Sequence, residues 1–552
     1  IIFYLLIFKF FIMSKVVVKV PKRSGFDKSH QNLLTSKCGT LTPILVDEII
    51  PNTKIHLNEV ISASLPPLAS DTFMRCNLKV EAFFCPSRLL YGGLEDWLTD
   101  QDLKIPTQTN SVKAAIPVLA IQSTDWSNGY LGNGTLMDYL GVRNISSSSY
   151  VSTFNIFPLL AYHRIYDDWY RNTNIQQQVF SKYMPEYQPA GGSTGLGTSP
   201  VPVYTLPYST LNTGQSNATD WQYHLNDQLA DGVRLGSLRQ RNFGFDYFTS
   251  AFNSPQRGSA QGVTFSTSGS TGNITIAALR AANSLQQFAE RNQLAGRKLQ
   301  DYVKANYGAD LSSGVAQRSL YLGSGEIPVY SKGIYQQSNT AGSSSTQNPM
   351  SDSVGAQFGS AQCSGKIDLI SDFVAQEPGY LMVLASLVPV VTYASGIDRM
   401  MLRYNTQSSQ TDMATPLLQN VGNEPIYGVE LTGLGTTSHI FGYTERFASF
   451  KTKMDTLHGL LRDGASLQSF ALQRTVTGST PTISSSFLEI PTSYLDQVAA
   501  VAGDISNYGV WIDTYADYKV SMPLAEYSIP SLQDPAYEHG NNVVLDLNGS
   551  KL

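Results

Sequence analysis

Two stretches near the amino terminus, LTPILVDEII (residues 41–50) and MRCNLKVEAFFC (residues 74–85), decide the fold class. Both consist largely of β-branched, aliphatic and aromatic residues, and prolines bound them. Apolar runs of this length between prolines are typical of β-strands. Residues 41–95 are therefore predicted to be a region of strands.

Two long polar segments separate these strands from apolar runs further along the chain. Residues 172–220 include PAGGSTGLGTSP and residues 338–366 include SNTAGSSSTQNP, a composition typical of surface loops. Apolar runs return beyond residue 366, for example in YLMVLASLVPVV. Strands before, between and after long polar loops favour a single β core with insertions, either a sandwich or a jelly roll.

One long helical pattern lies between the two polar segments. From residue 274 to residue 308, apolar residues recur every three or four positions, as on one face of a helix. We expect Asn273 to cap this helix, Gly296 to break or bend it, and Gly308 to end it. An α/β enzyme would alternate its strands with several such helices, so this pattern argues against that class.

The composition favours a protein with large polar and aromatic surfaces. Hydrophobic residues make up 42 % of the 552 residues, which is enough to build a core and excludes wholesale disorder. Charged residues make up only 15 %, against roughly 25 % in a typical soluble protein, which argues against a helical bundle or a coiled coil. The net charge of −5 means that any contact with nucleic acid must come from a local basic patch.

The four cysteines are too few to form a disulfide scaffold in a chain of this length. We expect Cys38, Cys76, Cys85 and Cys363 to be free, buried thiols in a reducing compartment. Cys76 and Cys85 are nine positions apart, so they are predicted to lie on opposite faces of a strand.

The two ends of the chain differ from its centre. Residues 1–12, IIFYLLIFKFFI, are too short to span a bilayer and lack the pattern of a signal peptide. We predict that they are translated upstream sequence and that Met13 is the true start, with a short membrane anchor as the alternative.

The rest of the chain is divided into three parts. Residues 13–40 are assigned to a basic arm and residues 536–552 to a C-terminal tail. The jelly-roll or sandwich domain is assigned to residues 41–535, with insertions at about 172–240 and 260–366.

The sequence suggests no catalytic site. Its seven histidines include no pair four residues apart and no HExxH motif. GSAQCSGK (residues 359–366) has one residue too many between its glycines for a phosphate-binding loop. The adjacent carboxylates Asp167 and Asp168 should point in different directions, so they are not expected to cooperate. We therefore predict that the protein is not an enzyme.

Aromatic residues cluster with arginine in three segments, residues 83–98, 154–172 and 241–252. Three interpretations are open for these clusters. They could fill the core, form subunit contacts, which are rich in Tyr, Trp and Arg, or stack on single-stranded bases.

Taken in order, these segments resemble the major capsid protein of the Microviridae, the small icosahedral phages with circular single-stranded DNA. The most specific match is FDYFTSAFNSPQRG (residues 245–258), which carries the DYFTS and PQ-G elements of that family. Further elements of the family are similar, in the same order, to residues 26–55, 80–98, 157–174, 274–325, 377–398 and 441–459.

The resemblance implies a mainly β fold, a single eight-stranded antiparallel jelly roll with long inter-strand insertions and one or two helices. It also implies self-assembly into a small icosahedral (T=1) shell that encloses a single-stranded DNA genome. The protein would then be located in the virion and assembled in the cytoplasm of the bacterial host. Its expected partners are further copies of itself, packaged single-stranded DNA, a small DNA-binding protein, other virion proteins and a host-surface receptor. No cofactor, metal or membrane is expected.

Two groups of residues are assigned to these contacts. The residues expected to bind DNA are Lys15, Lys19, Lys22, Arg23 and Lys28. The candidates for subunit interfaces are Trp97, Tyr162, Arg164, Tyr166, Trp169, Arg171, Tyr247, Phe248 and Arg446.

A secreted β-sandwich protein that binds or cleaves glycans is the alternative, because such a protein would also be rich in loops and aromatic residues. It would need a signal peptide and, for hydrolysis, two suitably placed carboxylates. The sequence shows neither feature.

Overall fold

The computed structural model describes most of the chain between residues 23 and 524. The described residues are 23–91, 94, 98, 102–103, 112–113, 118–121, 125, 128–142, 153–180, 222–229, 231–258, 276–296, 298–312, 314, 317–335, 357–402, 422–435 and 439–524.

Nine strands of the described residues form one antiparallel sheet that curls into a sandwich. They are β1 (Ser24–Asp27), β2 (His30–Ser36), β3 (Thr42–Ile49), β4 (Lys54–Ser64), β5 (Cys76–Pro86), β6 (Leu320–Tyr335), β7 (Gln357–Val374), β8 (Gly379–Pro389) and β9 (Val510–Met522). One half of the sandwich has the order β2–β9–β4–β7, and the short β1 pairs with the same edge of β9 as β2. The other half has the order β3–β8–β5–β6. The eight longer strands form a jelly roll, which confirms the predicted fold class.

The main hydrophobic core lies between the two halves of the sandwich. Side chains of β4 alternate between this core and the surface, so that Ile55 and Leu57 are fully buried whereas His56 and Val60 are exposed. This alternation is the pattern expected of a strand with one buried face.

The half formed by β3, β8, β5 and β6 is also covered on its outer face. Phe83 and Met382 belong to a second core, which segments from the connection between β5 and β6 complete. Every residue of β8 is buried, which explains its unbroken apolar run. Cys76 lies in the first core and Cys85 in the second, so the prediction that they occupy opposite faces is confirmed. All four cysteines are free and buried.

The helices lie in the connections between strands. They are α1 (Leu136–Tyr139), α2 (Phe157–Ile165), α3 (Ile276–Leu294), α4 (Leu299–Tyr307), α5 (Gly428–Thr432), α6 (Ala448–Lys451), α7 (Ser485–Leu488) and α8 (Asp504–Tyr508). A π-helical turn spans Tyr166–Tyr170, and 3₁₀ turns span Ser87–Leu89, Arg399–Leu402, Gly459–Leu461, Gln468–Phe470 and Tyr494–Val498. Smaller sheets pair Asp102–Leu103 with Val112–Lys113, Val118–Ala120 with Thr153–Asn155 and Gln222–Tyr223, and Asn423–Tyr427 with Ile440–Glu445.

The predicted helical segment forms two helices, α3 and α4. Gly296 lies in the break between them, and Gly308 caps α4 in the left-handed conformation (φ 68°), so both predictions are confirmed. The predicted cap Asn273 lies outside the described residues. In α3 only Ala289 and Gln293 are buried, so most of its apolar side chains remain on the surface of the subunit.

Helix α2 was not predicted from the sequence. Eight of its nine residues are buried. A helix that is buried on nearly every side has no polar stripe, so its sequence lacks the period on which the prediction of helices depends.

The connections between the strands differ from the insertions expected from the sequence. The range 260–366, expected to be an insertion, contains β6 and part of β7. Glycines are typical of loops, which is why β6 and this part of β7 were not predicted. Here the close packing of the strands requires them. A Cβ atom on Gly323 would lie 2.0 Å from the carbonyl oxygen of Leu369, and one on Gly325 would lie 2.3 Å from Ile367. Glycine therefore allows close approach of β6 and β7.

The amino-terminal range also differs from the expectation. Strands β1 and β2 lie within residues 13–40, which were assigned to the basic arm, so residues 24–36 are part of the sheet. Residues 1–22 and 525–552, which include the predicted upstream segment and the C-terminal tail, lie outside the described residues.

Candidate functional site

Helix α2 and the π turn after it carry four of the nine residues proposed for subunit contacts, and Arg171 follows directly after the turn. The side-chain oxygen of Asn155 accepts a hydrogen bond from the backbone N–H of Phe157 (3.0 Å), and Pro158 occupies the first turn. Both features are typical of a helix start. The helix packs against the outer face of β5 and β8, where it places its side chains in the second core.

Tyr162 connects this helix to the jelly roll. Its side chain is fully buried, and its hydroxyl donates to the carbonyl of Leu41 and accepts from the backbone N–H of Arg239, each at 2.8 Å. Burial raises the pKa of the Tyr162 hydroxyl, so it remains protonated and can donate. The side chain therefore joins three segments within one subunit.

Arg239 forms a buried cluster with His163 and Tyr166. Its Nε donates to Nδ1 of His163 (3.0 Å), so Nε2 of His163 donates to the carbonyl of Leu235 (2.8 Å). Burial, followed by the charge of Arg239, holds the pKa of His163 well below its usual value, and the imidazole is neutral. The guanidinium of Arg239 lies 4.8 Å from the centre of the Tyr166 ring and forms an ion pair with Asp231.

Arg164 and Asp168 form an ion pair one turn apart. Arg164 Nε lies 3.1 Å from Asp168 Oδ2, which also accepts hydrogen bonds from the backbone and hydroxyl of Ser319 at 2.9 Å. Burial alone would raise the pKa of Asp168, but Arg164, Lys298 and Ser319 outweigh it and hold the pKa below its usual value. Burial lowers the pKa of Lys298 to about 8.

The neighbouring Asp167 pairs with a different arginine. Its Oδ1 lies 2.6 Å from Nε of Arg171. Asp167 and Asp168 therefore point toward separate partners, as predicted, and do not form the cooperating carboxylate pair that a glycosidase would need.

Trp169 is the most exposed of these residues, with 36 % of its surface exposed. The guanidinium of Arg318 lies 3.6 Å from the centre of its ring, and its indole N–H donates to the hydroxyl of Ser319 (3.0 Å). These contacts hold the ring in one orientation at the surface of the subunit.

The segment that most resembles the capsid family, residues 245–258, forms a third cluster. Phe248 is fully buried beside Tyr393 and Phe441, whereas Tyr247 donates its hydroxyl to Oε2 of Glu430 (3.1 Å). Arg446 is half-buried and lies over the ring of Phe447, 4.5 Å from its centre.

The two described residues of the predicted DNA-binding group are engaged within the subunit. Arg23 donates to the hydroxyl of Ser521 (3.0 Å) and to the side-chain oxygen of Asn52 (3.1 Å). Lys28 lies 2.5 Å from a carboxylate oxygen of Asp47. Lys15, Lys19, Lys22 and Trp97 lie outside the described residues.

The candidate interface residues thus separate into two kinds. Tyr162, Arg164, Tyr166, Tyr247 and Phe248 are buried in a single subunit, which accounts for them without a partner. The remaining described candidates keep some exposed surface: Trp169, Arg171 and Arg446. A role of any of them in subunit contacts stays a prediction.

Sequence reasoning missed the most exposed aromatic residue in the described part of the chain. Phe245 has 87 % of its surface exposed, although it lies between the buried aromatics Phe243 and Tyr247. The signal that could have found it is its position between Gly244 and Asp246, residue types that favour turns.

The described part of the chain shows neither a metal cluster nor a membrane-spanning helix. It contains no group of three or more His, Cys, Asp or Glu side chains placed to hold a metal ion. None of the helices in that part is both long enough and apolar enough to cross a membrane.

Comparison with known proteins identifies the family of the chain. The family model described as "Capsid protein (F protein)" matches residues 14–532, nearly the whole chain. The chain belongs to this family of phage capsid proteins. The resemblance to the Microviridae major capsid protein is therefore confirmed.

Two relatives of this capsid protein align over nearly their full length. The capsid protein VP1 of Chlamydia phage 1 is 25 % identical over an alignment of 615 residues, which covers 94 % of this chain and 97 % of the relative. The capsid protein VP1 of Bdellovibrio phage phiMH2K is 26 % identical over 533 residues, which covers 92 % of this chain and 95 % of the relative.

Proposed function

We propose that this capsid protein is the major shell subunit, and that copies of it assemble into a small icosahedral T=1 shell around a single-stranded DNA genome. The observation that carries the proposal is the match of the capsid family to residues 14–532, on a chain that folds as a jelly roll. The match includes the long connections as well as the strands, and in a closed shell such connections supply the contacts between neighbours.

The exposed surface of the subunit supports association with other copies. Large apolar side chains are exposed on separate elements, among them Leu33 on β2, Trp511 on β9 and Leu285 on α3. Contacts with neighbouring copies would bury such side chains, which are enriched in the cores of homo-oligomer interfaces. The low content of charged residues fits the same interpretation, because charged residues are depleted in interface cores.

The proposal includes DNA and further virion components as partners. Because Arg23 and Lys28 bind within the subunit, contacts with phosphates would depend mainly on Lys15, Lys19 and Lys22. A small DNA-binding protein, other virion proteins and a host-surface receptor complete the expected partners. Assembly would take place in the cytoplasm of the bacterial host.

We expect a structural role without catalysis. The buried ion pairs and the neutral His163 connect segments of one subunit, and each of these groups has a protein partner that explains it. They stabilise the connection between β5 and β6 on the outer face of the jelly roll.

Expression of the full chain in bacteria, followed by size-exclusion chromatography and negative-stain electron microscopy, tests the proposal. We expect uniform icosahedral particles that contain only this chain and nucleic acid. A stable monomer that binds a sugar would overturn the proposal in favour of the glycan-binding alternative.

A further inference from the structure

Phe245 is held outside the subunit by a rigid turn. The backbone on one side is fixed by the hydroxyl of Thr249, which donates to the carbonyl of Gly244 (2.8 Å). On the other side, Oδ1 of Asp246 accepts from the backbone N–H groups of Phe248 and Thr249 (2.9 and 2.8 Å). The exposed ring therefore projects from a turn that has little freedom to fold back.

This ring borders an apolar groove of about 730 Å³. Val390 and Val391, which follow β8, contribute to its walls together with Leu294 at the end of α3 and Met454. Val390 and Leu294 have 36 % and 49 % of their surfaces exposed. A projecting aromatic ring and an apolar groove thus lie side by side on one face.

The charges that line the groove nearly balance. Lys79 and Lys453 contribute two positive charges, and Asp246, Glu445 and Asp455 contribute three negative charges. Lys79, Lys453, Glu445 and Asp455 are each paired with an opposite charge of their own subunit. Two copies of this surface can therefore approach each other with little net repulsion. A nucleic acid would instead favour a surface with excess positive charge.

We propose that this face is a two-fold contact between copies of the chain, in which Phe245 of each copy inserts into the groove of the other. The inference rests on the proposed shell function and identifies one of its contacts. In a two-fold contact the same surface is used by both copies, so it must carry both the projection and the groove that receives it. A rigid aromatic anchor in an apolar pocket is the usual form of an energetic hot spot.

Cross-linking tests the contact in assembled particles of the full chain. One chain carries Phe245→Cys, a second carries Val390→Cys, and the two are co-expressed and then oxidised. Because each chain has only one of the two new thiols, a disulfide between them must join two copies. The background is low, since all four native cysteines are buried.

We expect disulfide-linked dimers on non-reducing gels. Particles that form normally but give no dimers would overturn the inference and leave the proposed shell function intact. Absence of particles from the unmodified chain would overturn the shell function itself, and the inference with it. Tyr508→Cys, which is exposed but does not line the groove, replaces Phe245→Cys as the control and should give no dimers with Val390→Cys.

The variant Phe245→Asp gives a second measure. We expect the protein concentration needed for particle formation to rise at least tenfold, with an unchanged melting temperature of the unassembled subunit, because the ring makes few contacts within its own chain. Unchanged assembly of this variant would overturn the inference.

Discussion

Arg399 and Glu430 form a buried ion pair between two segments that follow the jelly-roll strand β8. Nη1 of Arg399 lies 2.6 Å from Oε1 of Glu430, and the two side chains are 5 % and 3 % exposed. Oε1 also accepts from the backbone N–H of Tyr427 (2.9 Å), and Oε2 accepts from the hydroxyl of Tyr247 (3.1 Å). The pair thus organises the cluster around the segment that most resembles the capsid family.

The variant Arg399→Met should destabilise the subunit by about 3–5 kcal/mol, because it leaves the carboxylate of Glu430 buried without its counter-charge. The measurement is chemical unfolding of the unassembled subunit. The matched control is Lys453→Met, which removes the cation of an exposed pair with Asp398 and should cost about 0–1 kcal/mol. Equal effects of the two variants would contradict the prediction.

The hydrogen bonds of the Tyr162 hydroxyl give a second prediction. Tyr162→Phe removes one hydroxyl and leaves the carbonyl of Leu41 and the backbone N–H of Arg239 without that partner. We expect a loss of about 1–3 kcal/mol in the free energy of unfolding. Tyr508→Phe, at an exposed position, is the control and should change this free energy by less than about 0.5 kcal/mol. A neutral Tyr162→Phe variant would show that the hydroxyl does not connect the helix to the sheet.

The close packing of Gly323 against Leu369 gives a third prediction. Gly323→Ala would place a Cβ atom 2.0 Å from the carbonyl oxygen of Leu369, so β6 and β7 must move apart. We expect a clear drop in melting temperature and a loss of soluble subunit. Gly25→Ala on β1 is the control, since nothing lies within 4 Å of its Cβ position. Normal expression and stability of the Gly323→Ala variant would contradict the prediction.

The glycines of β6 and β7 explain why part of the fold could not be predicted from the sequence. The strands β3, β4 and β5, the break at Gly296 and the end at Gly308 were predictable, because periodicity and turn residues act locally. The strand β6 and the first part of β7 were hidden, because their glycines are selected by contacts between residues far apart in the chain.

The candidate site was less predictable for a related reason. Composition identified clusters of arginine and aromatic residues, but it does not indicate which member of a cluster faces outward. In RNFGFDYF, Phe243 and Phe248 are buried and Phe245 is exposed. That difference is set by the hydrogen bonds of Asp246 with Thr249, which form only in the folded turn.

The basic segment gives a fourth prediction. The triple variant with glutamine at positions Lys15, Lys19 and Lys22 should package less DNA per particle while shell geometry remains unchanged, because phosphate neutralisation is lost. Nucleic-acid content is measured by the ratio of absorbance at 260 and 280 nm in purified particles. The matched control makes the same change of charge at three exposed lysines outside the groove: Lys304, Lys366 and Lys519. Equal DNA content in both variants and the unmodified particle would contradict the assignment.

Glu59 gives a prediction for the dependence of stability on pH. It lies on β4 between Ile367 of β7 and Ala516 of β9 and is 1 % exposed, and its Oε2 has no hydrogen-bond partner among the described residues. Burial raises the pKa of this carboxyl from 4.5 to about 7. The folded subunit therefore keeps the proton up to about pH 7, whereas the unfolded chain releases it above about pH 4.5.

Between these two values the folded state binds one proton more than the unfolded state, so the contribution of Glu59 to stability falls as the pH rises, by about 1.4 kcal/mol per pH unit at most. Above pH 7 both states are ionised and the loss is complete. Glu59→Gln keeps the shape of the side chain without ionising, so its advantage over the unmodified subunit should grow from pH 5 to pH 7 and then remain constant. Urea unfolding at pH 5, 6, 7 and 8 measures this difference. The exposed Glu445→Gln variant is the control, and its difference from the unmodified subunit should be smaller and should not follow this course. A difference for Glu59→Gln that does not vary with pH would show that the buried carboxyl does not titrate in this range.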